Sequence, residues 1–301
     1  MSNVSEWDII EQIGTGSTCS VYLAQNTGTQ STGALKVFTS TAALTASEEM
    51  KIHKSLKHPR ILGFIDSFSC INKVVPSQST AILVTEHADK GDLFNLIDIV
   101  GCLPEKVART YFIQILDALS YLHSQNICHL DVKPENVFLD NNCGVKLADF
   151  GISKKLVTPD QLLRDRVGTV FYTPPEKLPA DSVYDGFKAD LFALGVTLFI
   201  MVSGGLPFES ATEKDECYKH IIASDYASFW ENHKEMADCP EEIIFSQHFV
   251  DLINKMIAFD PEDRLSLEEL KAHPWTQGAV FNDKELKSEV TQLLLNSQED
   301  D

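Results

Sequence analysis

Over roughly the first ninety residues, short apolar patches alternate with turn signals. Ile9 to Ile13, Ser20 to Ala24, Ala34 to Phe38, Ile61 to Phe68 and Ala81 to Thr85 read as strands. One helical stretch, about Ala42 to Leu56, interrupts them. From Asp92 onward the apolar spacing lengthens to helical periods, as in Glu105 to His123, Asp190 to Val202, Phe249 to Ala258 and Ser266 to Ala272. The shift predicts a bilobal α+β fold: a small β-rich lobe with one main helix over 1–89 and a larger, mainly helical lobe over 90–275. Lys90-Gly91-Asp92 marks the junction, glycine there allowing a hinge-like turn. Residues 276–301 are predicted to be an acidic tail with one helical segment and a frayed end.

Composition narrows the picture. The 301 residues are 44% hydrophobic and 9% aromatic, enough to fill a real core. The longest apolar run, Leu191 to Val202, is shorter than a bilayer requires and reads as a buried core helix, so no membrane association is expected. No charged segment followed by an apolar stretch opens the sequence. Cys19, Cys70, Cys102, Cys128, Cys143, Cys217 and Cys239 are scattered without metal-ligand or redox spacing. A reducing, intracellular location, cytoplasmic or nuclear, is therefore expected. The net charge of -19 argues against a nucleic-acid partner. It suits a basic peptide, and equally a solvated acidic surface.

The candidate chemistry begins at Gly14-Thr15-Gly16-Ser17-Thr18-Cys19-Ser20-Val21, a turn between two strands where glycines let backbone N–H groups approach phosphate oxygens. Alone, it equally describes an ordinary hairpin. Lys36 lies in the apolar strand Ala34 to Phe38 and shares a face with Ala34. Glu49 projects from the following helix, where it can fix the lysine by a charge-assisted hydrogen bond.

The densest constellation is His129-Leu130-Asp131-Val132-Lys133-Pro134-Glu135-Asn136, followed by Asp149-Phe150-Gly151. Between them, Val137 to Leu139 and Val145 to Leu147 form strands joined through Asn141-Asn142-Cys143-Gly144, a hairpin that brings Asn136 and Asp149 together. An amide oxygen beside a carboxylate suits magnesium better than a soft metal. Asp131 can accept the proton of an attacking hydroxyl, and Lys133 can neutralise charge on a transferring phosphoryl group.

In this order and at these spacings, the motifs resemble those of the eukaryotic protein kinase family over roughly Trp7 to Trp275. Gly168-Thr169, Pro174-Pro175-Glu176, Asp190 to Gly195 and Arg264 complete the series, and Lys133 with Thr169 resembles the serine/threonine branch. Ser203 to Phe208, Asp260 to Arg264 and His273-Pro274-Trp275 look like the calmodulin-dependent and AMP-activated kinase group. The resemblance implies transfer of the γ-phosphate of ATP to protein hydroxyls with Mg2+. Its catalytic residues would be Asp131, Lys133 and Lys36, its metal ligands Asn136 and Asp149. It further implies an ATP site built from Ile13, Gly14, Gly16, Cys19, Val21, Ala34, Lys36, Glu49, Thr85, Glu86, Ala88 and Asp92. Adenine would bond the backbone near Glu86, His87 and Ala88, Thr85 would be the gatekeeper, and Glu176 would pair with Arg264. Asp92 and Glu135 match acidic positions that meet basic residues upstream of the phosphoacceptor.

Four positions depart from the family pattern: Cys19 replaces the third glycine, Pro174 the alanine before Pro-Glu, and His53 an aliphatic residue one helical turn after Glu49. Leu130 replaces the arginine that grips an activating phosphate. The segment Ile152 to Val170 offers only Ser153, Thr158 and Thr169 as hydroxyls, and places Asp165 where the commonest phosphoacceptor lies. Activity without activation-loop phosphorylation is therefore expected. A scaffold keeping the fold without the chemistry, and a small-molecule phosphotransferase, are the competing readings. The first is disfavoured by the presence of Lys36, Asp131, Asn136 and Asp149, the second by the peptide-docking character of Gly168 to Glu176.

Overall fold

The computed structural model describes residues 6–16, 18–39, 42–68, 79–236 and 245–297. Cys70 and Cys239 fall outside these; the other five cysteines are free thiols.

Five strands form one antiparallel sheet: β1 (Trp7–Thr15), β2 (Cys19–Asn26), β3 (Thr32–Thr39), β4 (Phe64–Phe68) and β5 (Ser79–Thr85), in the order β1-β2-β3-β5-β4. The register sets Val21 opposite Lys36, Lys36 opposite Leu83, and Ala34 opposite Thr85, so these residues share one stretch of the sheet. At Gly33 the approach of Trp7 is so close that a Cβ would lie 2.9 Å from its ring. Helix α1 (Ala43–Ser55) packs on this sheet through Ala46, which is fully buried with Phe38 and Leu83. The strand expected to begin at Ile61 begins at Phe64 instead. Ile61 and Leu62 reach across to the large lobe, where Ile61 bridges Leu147 and the Leu62 amide donates to its carbonyl at 2.9 Å.

The large lobe holds α2 (Leu93–Val100), α3 (Glu105–Ser124), α4 (Gly186–Ser203), α5 (Tyr218–Ile222), α6 (Tyr226–Met236), α7 (Gln247–Met256), α8 (Leu267–Ala272) and α9 (Asp283–Ser297). Two-stranded ladders pair β6 (Ile127–Cys128) with β9 (Lys154–Lys155), and β7 (Val137–Leu139) with β8 (Val145–Leu147). The core centres on α3 and α4, with Tyr111, Phe112, Phe192 and Phe199 fully buried. Each such aromatic contributes roughly 1.5–3 kcal/mol on burial. Helix α4 is long and apolar enough to cross a membrane, but 89% of it is buried inside the lobe. It starts at Asp185, whose carboxylate accepts from the Phe187 and Lys188 amides, and stops at Gly204 in the left-handed conformation.

Within the segment read as an acidic tail, α9 is docked. Leu286 and Val290 are buried against the lobe, and Phe281 receives the Lys106 ammonium 3.7 Å from its ring centroid. Asn282 caps the helix by accepting from the Lys284 and Glu285 amides.

Candidate active site

The lobes enclose a cleft of about 500 Å³, a size that suits a small ligand. All twelve residues expected around ATP line it: Ile13, Gly14, Gly16, Cys19, Val21, Ala34, Lys36, Glu49, Thr85, Glu86, Ala88 and Asp92. Asn136 and Asp149 line it as well, whereas Asp131 and Lys133 lie outside its lining. The sequence reading missed Phe138 and Ala148, also in the lining. Nothing in the sequence sets Phe138 apart from its apolar neighbours Val137 and Leu139; only the structure shows these two buried and Phe138 between them facing the cleft.

On the roof, the Lys36 ammonium lies 2.7 Å from Glu49 Oε1 and 2.9 Å from Asp149 Oδ1. Burial disfavours its charge, but Asp149 and Glu49 override this and hold Lys36 above the usual lysine range. Burial raises the Glu49 carboxyl despite the lysine's opposing pull. At Asp149 burial pushes upward and Lys36, with hydrogen bonds from Lys36 and the Gly151 amide, wins; the carboxylate stays ionised below its ordinary range. Burial raises the Cys19 thiol, opposed by Lys36, so this thiol is kept protonated at the start of β2.

Two non-glycine residues here hold left-handed backbone, Leu130 with φ 69° and Asp149 with φ 61°. Such conformations cost on the order of 1–3 kcal/mol each. The buried carboxylate of Asp190 holds the first in place, accepting from the His129 amide at 2.9 Å and the Leu130 amide at 2.7 Å, and from His123 at 2.9 Å. The Gly151 amide, donating to Asp149 Oδ1 at 3.1 Å, supports the second.

Asp131 is the hub of the catalytic loop. Lys133 Nζ lies 2.8 Å from its carboxylate, Thr169 Oγ1 donates to it at 3.0 Å, and Asn136 Nδ2 donates at 2.8 Å. Lys133 also donates to Thr169 at 2.8 Å, tying the loop to the activation segment. The Asn136 nitrogen being committed to Asp131, its oxygen is the atom left for a hard cation. Asn136 and Asp149 thus offer oxygen donors, and among the described residues no three acidic, His or Cys side chains form a closed metal cage. An ion held there would share its coordination with phosphate oxygens and water, which fits Mg2+.

His53, buried, donates from Nε2 to the Leu62 carbonyl at 2.7 Å, and its ring lies 4.9 Å from Phe150. Phe150 in turn packs edge-on against His129 at 5.2 Å, so helix α1, the Asp149 segment and the catalytic loop are linked ring to ring. Burial keeps His53 below the ordinary histidine range. Glu176 and Arg264 pair through two bonds of 2.7 Å, the guanidinium also donating to the Ala258 carbonyl.

The activation segment is anchored mainly by apolar contacts. Leu130, Leu156, Leu163 and Tyr184 form a buried cluster, and Leu163 and Tyr184 exchange backbone bonds at 2.9 and 3.0 Å. Asp165 meets Lys154 at 3.0 Å. Ser153 is buried and donates to the His129 carbonyl at 3.1 Å, and Thr169 is held in the catalytic loop. Thr158 is exposed.

Asp92 spends one carboxylate oxygen capping α2 through the Asn95 amide at 2.8 Å. Glu86 turns its side chain to Lys146 at 2.8 Å and its amide to the Gly63 carbonyl.

The protein kinase domain family matches residues 7–276. The chain is 34% identical to CBL-interacting protein kinase 11 of Oryza sativa subsp. japonica, over 92% of this chain and 52% of that protein. It is 32% identical to serine/threonine-protein kinase SAPK2 of Oryza sativa subsp. indica, over 90% of this chain and 76% of the relative. Identity is also 32% to the probable serine/threonine-protein kinase KCC4 of Saccharomyces cerevisiae, over 91% of this chain and 26% of that protein. The chain spans about half the length of the first of these relatives. With a family match over most of its length, and the paired Lys36, Glu49 and Asp149 beside the Asp131 hub, the chain belongs to the protein kinase family, and it resembles the calmodulin-dependent and AMP-activated group of serine/threonine kinases.

Proposed function

We propose that this chain is an ATP- and magnesium-dependent protein serine/threonine kinase that works without phosphorylation of its activation segment. The observation that carries the reading is the network at Asp131, where Lys133, Thr169 and Asn136 converge on one carboxylate through side chains of this chain alone.

In this reading Asp131 orients the substrate hydroxyl and takes its proton, while Lys133 offsets charge building on the transferred phosphoryl group. Lys36, fixed by Glu49, holds the phosphates of ATP. Bound magnesium, held by Asn136 and Asp149, would supply neutralisation of phosphate charge. Thr169, bonded to both Asp131 and Lys133, matches a segment that receives a serine or threonine substrate.

Phosphate independence is supported by what replaces the grip. Leu130 is buried in an apolar cluster, Asp165 already provides a carboxylate to Lys154, and of the three hydroxyl residues only Thr158 is exposed, Ser153 being buried and the Thr169 hydroxyl bonded to Asp131 and Lys133. Basic residues upstream of the phosphoacceptor are the preferred substrate class, drawn by Asp92 and Glu135 at the cleft and by the net charge of -19.

The test is to treat the purified chain with phosphatase, confirm by mass spectrometry that Ser153 and Thr158 are unmodified, and measure phosphorylation of a peptide library with Mg-ATP. Immediate transfer to serine and threonine with basic upstream selection is expected. Activity that disappears on treatment and returns only with phosphate on Thr158 sinks the phosphate-independent reading. Selection of proline or acidic residues sinks the substrate assignment.

A further inference from the structure

Leu130 leaves the joint between catalytic loop and activation segment without an arginine, yet a buried cation reaches the same joint from a turn further along the chain. Lys177 closes the short turn Pro175–Lys177 and is only 4% exposed. Lysine is seldom so buried unless paired. Here the Lys177 ammonium makes no ion pair among the described residues; it lies 4.9 Å from the centroid of the Tyr184 ring. Tyr184 is itself 2% exposed, and among the described residues its hydroxyl has no hydrogen-bond partner.

The neighbour that makes this placement consequential is Gly168, at φ 108°. A Cβ there would stand 3.0 Å from the Leu130 carbonyl oxygen and 3.5 Å from Lys177 Nζ, so catalytic loop, glycine and lysine meet at one point. The next residue, Thr169, bonds both Asp131 and Lys133. Its carbonyl accepts from Thr173 at 2.9 Å, which closes the short loop leading back to the Lys177 turn.

Three carboxylates act on the ammonium through their charge: Asp190 from α4, Asp131 from the catalytic loop and Asp165 from the activation segment. Each has its short contacts elsewhere, Asp190 with the His129 and Leu130 amides, Asp131 with Lys133 and Thr169, Asp165 with Lys154. The charge of Lys177 is therefore shared among all three at longer range, where a poorly screened interior still makes it felt. Burial pushes the lysine below its ordinary range while these carboxylates resist. An apolar side chain of similar size would cost the fold less, so stability alone does not account for a charge at this position.

We infer that Lys177 is a positioning residue: its buried ammonium takes the place of the arginine missing at position 130 and holds the activation segment against the catalytic loop. The inference rests on the phosphate-independent reading above and names the group that makes it possible.

The experiment uses the full chain after phosphatase treatment, comparing wild type with Lys177→Met, Lys177→Arg and Lys177→Met/Asp165→Asn. For Lys177→Met the expected result is an unchanged or higher melting temperature, an unchanged KM for ATP, and a kcat on peptide lower on the order of tenfold. Arg164 and Arg166 are exposed, so limited trypsin digestion reports the order of the segment, and cleavage after them should quicken. Lys177→Arg should regain most of the kcat, and removing the Asp165 charge should regain part of it. If Lys177→Met does not fold, Lys177→Gln takes its place in every comparison. Wild-type turnover and trypsin resistance in the neutral variant overturn the role of Lys177 while leaving the kinase reading intact. A kcat loss that arginine does not restore, or that tracks a fall in melting temperature, overturns it too. A wild type that is silent after phosphatase overturns both.

Discussion

At the scale of single residues, the two aspartates read as proton acceptor, Asp131, and as metal ligand, Asp149, lie in different surroundings. Asp131 is surrounded by donors and points its network toward Lys133 and Thr169, while Asp149 faces Lys36 across the cleft roof. Asp131→Asn keeps the size and most of the bonding, so the fold and ATP binding should survive. Turnover should fall by roughly 10²- to 10⁴-fold, the usual worth of a proton-transfer group; steady-state kinetics alongside nucleotide affinity give the comparison, and near-normal kcat removes Asp131 from its role. Asp149→Ala acts differently. A ligand that binds only the folded state raises the melting temperature by mass action, so Mg-ATP should stabilise wild type strongly and the variant little. Equal thermal shifts in both proteins count against Asp149 as a metal ligand. Of the site, the charged members were legible because their chemistry is written in residue type and spacing. Phe138 and Lys177 were not. Phe138 is an ordinary apolar residue until the hairpin turns it toward the cleft, and Lys177 looks like a solvated charge beside a motif until the fold buries it.

At the scale of elements, periodicity found the strands and helices but not which lobe each end belongs to. Ile61 and Leu62 read as the start of a strand because they are apolar, yet their backbone pairs with Leu147 in the other lobe. A local pattern carries no information about such a partner. The segment after 275 shows the same limit: its charge suggests a tail, whereas Leu286 and Val290, four residues apart, supply enough apolar face to dock α9. Helix packing also predicts an acid response. His53 on α1 and His233 on α6 are both buried, and burial holds both below the ordinary value of 6.5. As the pH falls through 6.5, the unfolded chain takes up protons before the folded one, so stability drops. The loss runs from that value down to the depressed folded values and then levels off. Glu49, raised by burial, contributes with the opposite sign above its ordinary 4.5, and the stabilisation of ionised Asp149 is lost only lower still. Melting temperatures measured between about pH 7.5 and 5.5 should therefore decline in wild type, as the unfolding free energy falls by up to ~1.4 kcal/mol per histidine for each pKa unit of separation. Replacing both histidines with glutamine should flatten the slope, and a slope unchanged by that replacement would falsify the assignment.

At the scale of the whole molecule, 44 acidic against 25 basic side chains leave a net charge of -19, and this field acts before any contact forms. Charge of one sign raises the encounter rate with oppositely charged partners and leaves the bound-state chemistry alone. Within the cleft that field is sharpened by Asp92 and Glu135, two acidic residues in its lining. The consequence separates two kinetic constants. For a peptide with basic residues upstream of its serine, kcat/KM should fall steeply as salt rises, because at 0.15 M ionic strength the field is screened beyond roughly 8 Å. The kcat should stay nearly constant, since Lys133, Thr169 and Asp131 are in contact at about 3 Å and exclude most of that screening. A peptide of the same length with neutral residues upstream should show little salt dependence in either constant. Substituting Glu135 by Gln should remove part of the salt dependence for the basic peptide without touching the neutral one, because only the first feels that carboxylate. Steady-state kinetics of both peptides across 50 to 500 mM salt distinguish the cases: parallel curves for the two peptides would mean that the acidic surface serves solubility and takes no part in choosing the substrate.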